Sequence, residues 1–123
     1  MISTKKISTS ETFPIRQTVL RKGKPIETCY FNGDNDATTT HFGVFQEEKI
    51  LGVVSVYKVD SPLFHENNQF QIRGMALLSE HQGKGFGAQL LNTAEKYCWE
   101  NHANLIWFNA RAKAVSFYER SGY

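Results

Sequence analysis

The residues with the most chemical content are the six from Gln82 to Gly87, Gln-Gly-Lys-Gly-Phe-Gly, set directly before a strong helical pattern. A helix start leaves its first N–H groups unpaired, and these carry the positive end of the helix dipole. Glycines at 83, 85 and 87 strip away Cβ atoms, so a phosphate can approach the backbone closely. The bland alternative is a flexible loop with a helix cap. A Walker loop is excluded, because no glycine precedes a Gly-Lys-Ser/Thr triplet at the required spacing. The dinucleotide fingerprint G-x-G-x-x-A does match Gly83, Gly85 and Ala88. However, the acid that should end the next strand about 20 residues on is replaced by an amide, and the turn follows several strands instead of opening the fold.

The elements that must position this turn follow from periodicity. Lys5–Ser8 is a candidate first strand. Glu11–Lys22 reads as a helix, with Pro14 in its first turn and Gly23 and Pro25 ending it. Thr28–Phe31 is ambiguous, and Asn32-Gly33-Asp34-Asn35-Asp36 is a turn by composition. Thr39–Gln46 alternates, with His41, Gly43 and Phe45 on one face and Phe42 and Val44 on the other. Glu47-Glu48-Lys49 turns the chain into Ile50–Val59, rich in β-branched and aromatic residues, to make an antiparallel hairpin. A polar loop, Asp60–Asn68, leads to the strand Gln69–Leu78. There Phe70, Ile72, Gly74, Ala76 and Leu78 are expected on one face, and Gly74 suggests a bulge. Gly85–Asn101 is the best helix, with Phe86, Leu90, Leu91, Ala94, Tyr97 and Cys98 along one stripe. Leu105–Asn109 is a short buried strand and Ala112–Arg120 a second helix. The order predicts a mixed α/β (α+β) layer with a helix on each face of the sheet.

Size and composition narrow the class. The chain has 123 residues, which suits one domain over 1–123. Hydrophobic residues make up 41% and charged residues 21%, the profile of a folded protein rather than a disordered one. The net charge of +2 lacks the excess and the clustered stripe of a nucleic-acid binder. No apolar run approaches the roughly 20 residues of a membrane helix, and no signal peptide is read, so a cytoplasmic protein is expected. His41, His65, His81 and His102 are scattered and the two cysteines, Cys29 and Cys98, stand apart, so no metal site is expected.

The segment Gln82-x-x-Gly85-x-Gly87 resembles the (Arg/Gln)-x-x-Gly-x-(Gly/Ala) signature of the GNAT acetyltransferase superfamily. Arg73-Gly74-Met75-Ala76-Leu77 is similar to that family's central strand. Asn109-Ala110-Arg111, followed by Ala114-Val115-Ser116-Phe117-Tyr118-Glu119-Arg120-Ser121-Gly122-Tyr123, is similar to its late motif, A-x-x-F-Y-x-x-x-G-F/Y. The resemblance spans roughly residues 39–123.

The resemblance implies an acyl-CoA N-acyltransferase fold, a mixed central sheet flanked by helices, here without the last two strands. It implies acetyl-CoA as co-substrate, with its pyrophosphate on the N–H groups of Gln82, Gly83, Lys84, Gly85, Phe86, Gly87 and Ala88. Pantetheine would run along Met75, Ala76 and Leu77, and a free N–H near Met75 or Ala76 would polarise the thioester carbonyl. Tyr118 would protonate the departing thiolate, and Asn109 would bond the cofactor amides. Arg111 stands where the family often has Asn. The general base is left among Glu80, His81, His41 and a water chain. The acceptor is a primary amine, its pocket built from Phe13–Phe31 and Asp60–Asn68, with Arg16 or Arg21 as candidate partners for an acceptor carboxylate. For the two strands not read, a fragment, a sheet completed by another subunit such as a homodimer partner, and a curtailed domain are the expectations. A non-catalytic acyl-CoA-binding or regulatory module and a nucleotide-binding protein are the alternative functions.

Overall fold

A computed structural model describes residues 2–108 and, as backbone, residues 114–116. Ile2–Ile7 forms β1 and Thr9–Val19 forms α1. The helix begins two residues before the expected Glu11 because Ser8 caps it. Ser8 Oγ accepts from the Glu11 N–H at 3.3 Å, and the Glu11 carboxylate accepts from the Ser8 N–H at 2.8 Å. This reciprocal box satisfies two otherwise orphaned donors. Pro14 therefore lies inside the helix and not in its first turn. A 3₁₀ turn, Ile26–Cys29, resolves the ambiguous segment before Phe31.

Thr40–Gln46 (β2) and Lys49–Tyr57 (β3) make the expected hairpin, turning on Glu47 and Glu48. Gln69–Leu77 (β4) continues the antiparallel meander, and Phe86–Glu100 (α2) crosses over to Leu105–Trp107 (β5), parallel to β4. The six described strands lie in the order β1-β2-β3-β4-β5-β6. Here β6 is Ala114–Ser116, paired antiparallel with β5, where a helix over Ala112–Arg120 was expected. The ladder with Leu105–Trp107 gives those three residues inter-strand partners, and β-branched Val115 suits that setting better than a helix interior.

The sheet has two unlike faces. Under α2, Phe42, Val44, Leu51, Val54, Val56, Phe70, Ile72, Leu90, Ala94, Cys98, Ala103 and Ile106 form the main apolar core. Under α1 the apolar cluster is small: Ile15, Val53 and Ala76, flanked by Ile7, Val19, Ile50 and Leu78. Polar groups fill the rest of that face.

The expected single face of β4 is wrong, and the bulge is the reason. Val53 pairs with Ala76 and Ser55 with Arg73, so two residues of β4, Gly74 and Met75, stand opposite one of β3, Val54. One extra residue at Gly74–Met75 inverts the alternation. Phe70 and Ile72 therefore face α2, while Ala76 faces α1. Gly74 sits at φ +69°, with Phe31 and Arg16 against the space a side chain would need. Only glycine adopts that conformation there without strain.

Candidate functional site

The segment from Ser79 to Ala88 links β4 to α2. Ser79–His81 is a 3₁₀ turn, and Gly85 caps α2 in the left-handed region (φ 85°, ψ 1°), with no side chain capping the helix. Gly83 is also left-handed, and neither glycine has any atom within 4 Å of a would-be Cβ. Local hydrogen bonds stop short of the turn. The His81 and Gln82 N–H groups bond back to Leu78 and Ser79, and the next donor with a partner is Gln89, to the Gly85 carbonyl at 3.1 Å. Among the described residues, the N–H groups of Gly83, Lys84, Gly85, Phe86, Gly87 and Ala88 meet no protein acceptor. Such a run at the positive end of a 15-residue helix is an anion cradle. Gln82 does not share it: its own N–H is spent, and its amide donates to the Leu77 carbonyl at 3.2 Å, bracing the end of β4.

Beside the cradle the sheet opens. β4 pairs with β5 only over Gln69–Gln71, so among the described residues Ile72–Leu77 has β3 on one side and no strand on the other. Leu78 N–H donates to the Leu51 carbonyl at 2.9 Å. Strand alternation then turns the Ala76 N–H toward β3 as well, and those of Met75 and Leu77 toward the open edge. Of the two N–H groups expected to polarise an acyl carbonyl, geometry favours Met75 over Ala76. Ala76 is 3% exposed and Met75 is 42% exposed. Met75 Cε lies 3.3 Å from the Cβ position of Gly87, which joins strand edge to cradle.

On the α1 face a buried polar network lies against the bulge. Arg16, fully buried, donates to both Asp34 carboxylate oxygens at 2.6 and 3.2 Å, to the Cys29 carbonyl at 2.8 Å, to Ser55 Oγ at 2.9 Å and to Tyr57 Oη at 3.2 Å. Asp34 also accepts from the Tyr57 hydroxyl and, at 2.7 Å, from the Phe31 N–H. Burial pushes the Asp34 carboxyl up, but the bonds from Arg16, Tyr57 and Phe31 outweigh it and hold it below its ordinary value. Burial, followed by the Asp34 bond, pushes the Tyr57 phenol up to about 12. Arg16 is thus a neutralised strut under the sheet, not an exposed partner for a substrate carboxylate.

The candidate bases separate by geometry. His41 is buried, its Nδ1 within 2.6 Å of Ser55 Oγ and its Nε2 3.0 Å from the Asp34 carbonyl. Burial holds it below its ordinary value, and with both ring nitrogens engaged it reads as a structural imidazole. Both ring nitrogens of His81 are shielded from solvent and meet no partner among the described residues, beside the Phe86 ring. Glu80 is exposed next to the cradle. Lys84 is exposed within it. Tyr118, Asn109 and Arg111 lie outside the described residues. Among those described, no His/Cys/Asp/Glu group forms a metal cluster, and no helix is long and apolar enough to cross a membrane.

The comparisons agree with this geometry. The profile of the "Acetyltransferase (GNAT) family" matches residues 7–123. The "uncharacterized N-acetyltransferase YitI" of Bacillus subtilis (strain 168) is 30% identical over 123 residues, covering 100% of this chain and 83% of that protein. An "uncharacterized N-acetyltransferase" of Bacillus pumilus is 24% identical over 73% of this chain and 56% of its own length. In fold, the chain superposes on the aminoglycoside N-acetyltransferase AAC(6')-Iy, solved in complex with CoA, with a TM-score of 0.73 at 8% identity, over 99% of this chain and 82% of that one. A cradle of unpaired amides, a strand split open beside it, and a profile matched from residue 7 to residue 123 together place the chain in the GNAT acetyltransferase family.

Proposed function

We propose that the protein transfers an acetyl group from acetyl-CoA to a primary amine by direct attack in a ternary complex. The observation that carries the reading is the run of six N–H groups from Gly83 to Ala88 without an acceptor among the described residues, next to the open edge of β4. A pyrophosphate would satisfy those donors with charge-assisted bonds. The pantetheine arm would add along Met75–Leu77, and the outward Met75 N–H would receive the carbonyl oxygen as it becomes an oxyanion. The amine nitrogen forms a bond to the carbonyl carbon, the carbon–sulfur bond breaks, and the thiolate takes its proton from the Tyr118 phenol. The amine's proton leaves to water or to Glu80, the exposed member of the three side chains considered. Tyr118 and Asn109 take their roles from the motif they match.

The test pairs binding with turnover. Titration calorimetry with CoA, NAD and ATP should show binding of CoA, and thiol release should follow when acetyl-CoA is mixed with a panel of primary amines. Tyr118→Phe should lower turnover about 10²–10⁴-fold with CoA affinity unchanged. Binding of CoA with no thiol release from any amine would mark a non-catalytic acyl-CoA module. Binding of NAD alone would overturn the reading.

A further inference from the structure

Phe31 lies on the α1 face, its ring 3.2 Å from the Cβ position of Gly74, and three arginines surround it. The guanidinium carbons of Arg16, Arg73 and Arg21 stand 4.0, 5.0 and 5.1 Å from the ring centroid. Their electrostatic situations differ. Arg16 is buried and neutralised by Asp34. Arg21 and Arg73 are half-buried, and neither has a carboxylate partner among the described residues. Arg21 is steadied by its own chain, Nε donating to the Thr28 carbonyl at 3.2 Å and a terminal nitrogen to the Leu20 carbonyl at 3.3 Å. Arg73 lies over the Tyr57 ring as well as Phe31, and its guanidinium donors meet no protein acceptor among the described residues.

Two cations against one ring, without a carboxylate partner among the described residues, raise each other's energy, because a half-buried site screens like charges poorly. Proteins tolerate such a cost where an anion binds. The guanidinium fork suits a planar oxyanion; among the described residues Arg73 keeps all its donors for a ligand and Arg21 keeps its second terminal nitrogen, the rest of its fork being anchored to Thr28 and Leu20. The place is also specific. Arg73 is two residues from Met75, across the Gly74 bulge, and so stands beside the open edge of β4.

We infer that Arg21 and Arg73 form the acceptor subsite for a carboxylate, so that the amine acetylated by this enzyme belongs to an amino-acid-sized molecule with a carboxylate a few bonds from its nitrogen. This deepens the proposed function and rests on it for the position of the reacting acyl group.

The experiment has a binding arm and a transfer arm. In the first, calorimetry in saturating CoA compares N-acetyl amino acids with their carboxamides. Wild type should bind the acids at least tenfold more tightly, and Arg73→Gln and Arg21→Gln should each erase about tenfold of that preference while CoA affinity stays unchanged. In the second, thiol release compares free amino acids with amino acid amides. The acids should show the higher kcat/KM, and Arg73→Gln should raise KM for acids alone. Equal binding of acid and amide by wild type, or a preference that survives both substitutions, overturns the subsite whether or not transfer occurs. Arginine-dependent binding without thiol release leaves the subsite standing and removes the transferase reading.

Discussion

The Arg16–Asp34 pair offers a sharp test of the architecture beneath the site, through Asp34→Asn. Each carboxylate oxygen accepts two bonds, one from Arg16 and Phe31 N–H, the other from Arg16 and the Tyr57 hydroxyl. An asparagine keeps the shape but supplies one acceptor oxygen and one NH₂ group. In either orientation its amide aims a donor at an Arg16 N–H and leaves that buried cation without its counter-charge. Breaking a buried pair from one side costs about 3–5 kcal/mol. A chain of this length has a total stability of roughly 6–18 kcal/mol, so the variant loses a large share of it. The melting temperature should fall by about 10–20 °C, read by calorimetry and cross-checked by urea unfolding at pH 7. The pH profile adds a second readout. Asp34 is held below its ordinary 3.8, so its contribution is present above that pH and lost as pH falls through the folded value. His41 is held below its ordinary 6.5, so the unfolded chain takes up a proton first and stability falls on acidification below that pH. In Asp34→Asn the loss that begins near pH 6.5 should remain, and the acid limb below about pH 4 should shrink to what other carboxylates such as Glu11, also held below its ordinary value, contribute. A change of less than about 1 kcal/mol at pH 7, or an unaltered acid limb, would refute the buried network as described.

Other expectations follow from the same coordinates. Gly85→Ala meets no atom within 4 Å, so its cost is left-handed strain alone. It should lose about 1–2 kcal/mol without ligand, and about tenfold in CoA affinity by calorimetry as the cradle amides tilt. Burial, with Glu95 nearby, pushes the Cys98 thiol up to about 12, and Cys29 is fully buried too. Neither should react with a disulfide reagent at pH 8 until denaturant is added, and stoichiometric labelling of the native protein would contradict their placement. Tyr57 has its folded value raised from 10.0 to about 12, so its contribution is complete below pH 10 and disappears between there and about pH 12. Urea unfolding across that range should show the alkaline loss in wild type and not in Tyr57→Phe.

What could be read from the sequence was what neighbouring residues decide. β2 declares itself by alternation, β3 by its β-branched and aromatic residues and α2 by a period of 3.6, and the glycine turn by its place before α2. The start of α1 was legible too, since Ser8-x-x-Glu11 is a capping box in plain letters, but Pro14 drew the boundary inward. Arg16 was not legible. A helical arginine is ordinarily solvated, and its counter-ion stands 18 residues away, in a turn whose Asn-Gly-Asp-Asn-Asp composition speaks of water. Only the 3₁₀ turn and the packing of Phe31 against Gly74 fold that turn beneath the sheet.

The bulge explains how the remaining parts are joined. A strict alternation through β4 would put Arg73 and Ala76 on opposite faces, and the extra residue at Gly74–Met75 puts both on the α1 face. Arg73 is thereby laid against Phe31 while Ala76 closes the small apolar cluster under Ile15. Counted back from the Leu78–Leu51 bond, the Met75 N–H falls on the side of the edge that no described strand covers. The common face of Arg73 and Ala76 is thus set by a single inserted residue. The backbone at that residue has φ +69°, with an aromatic ring 3.2 Å from where any Cβ would stand, so the position demands glycine. Replacing Gly74 would disturb the open edge and the Phe31–Arg73 contact together, because straightening the strand changes both at once.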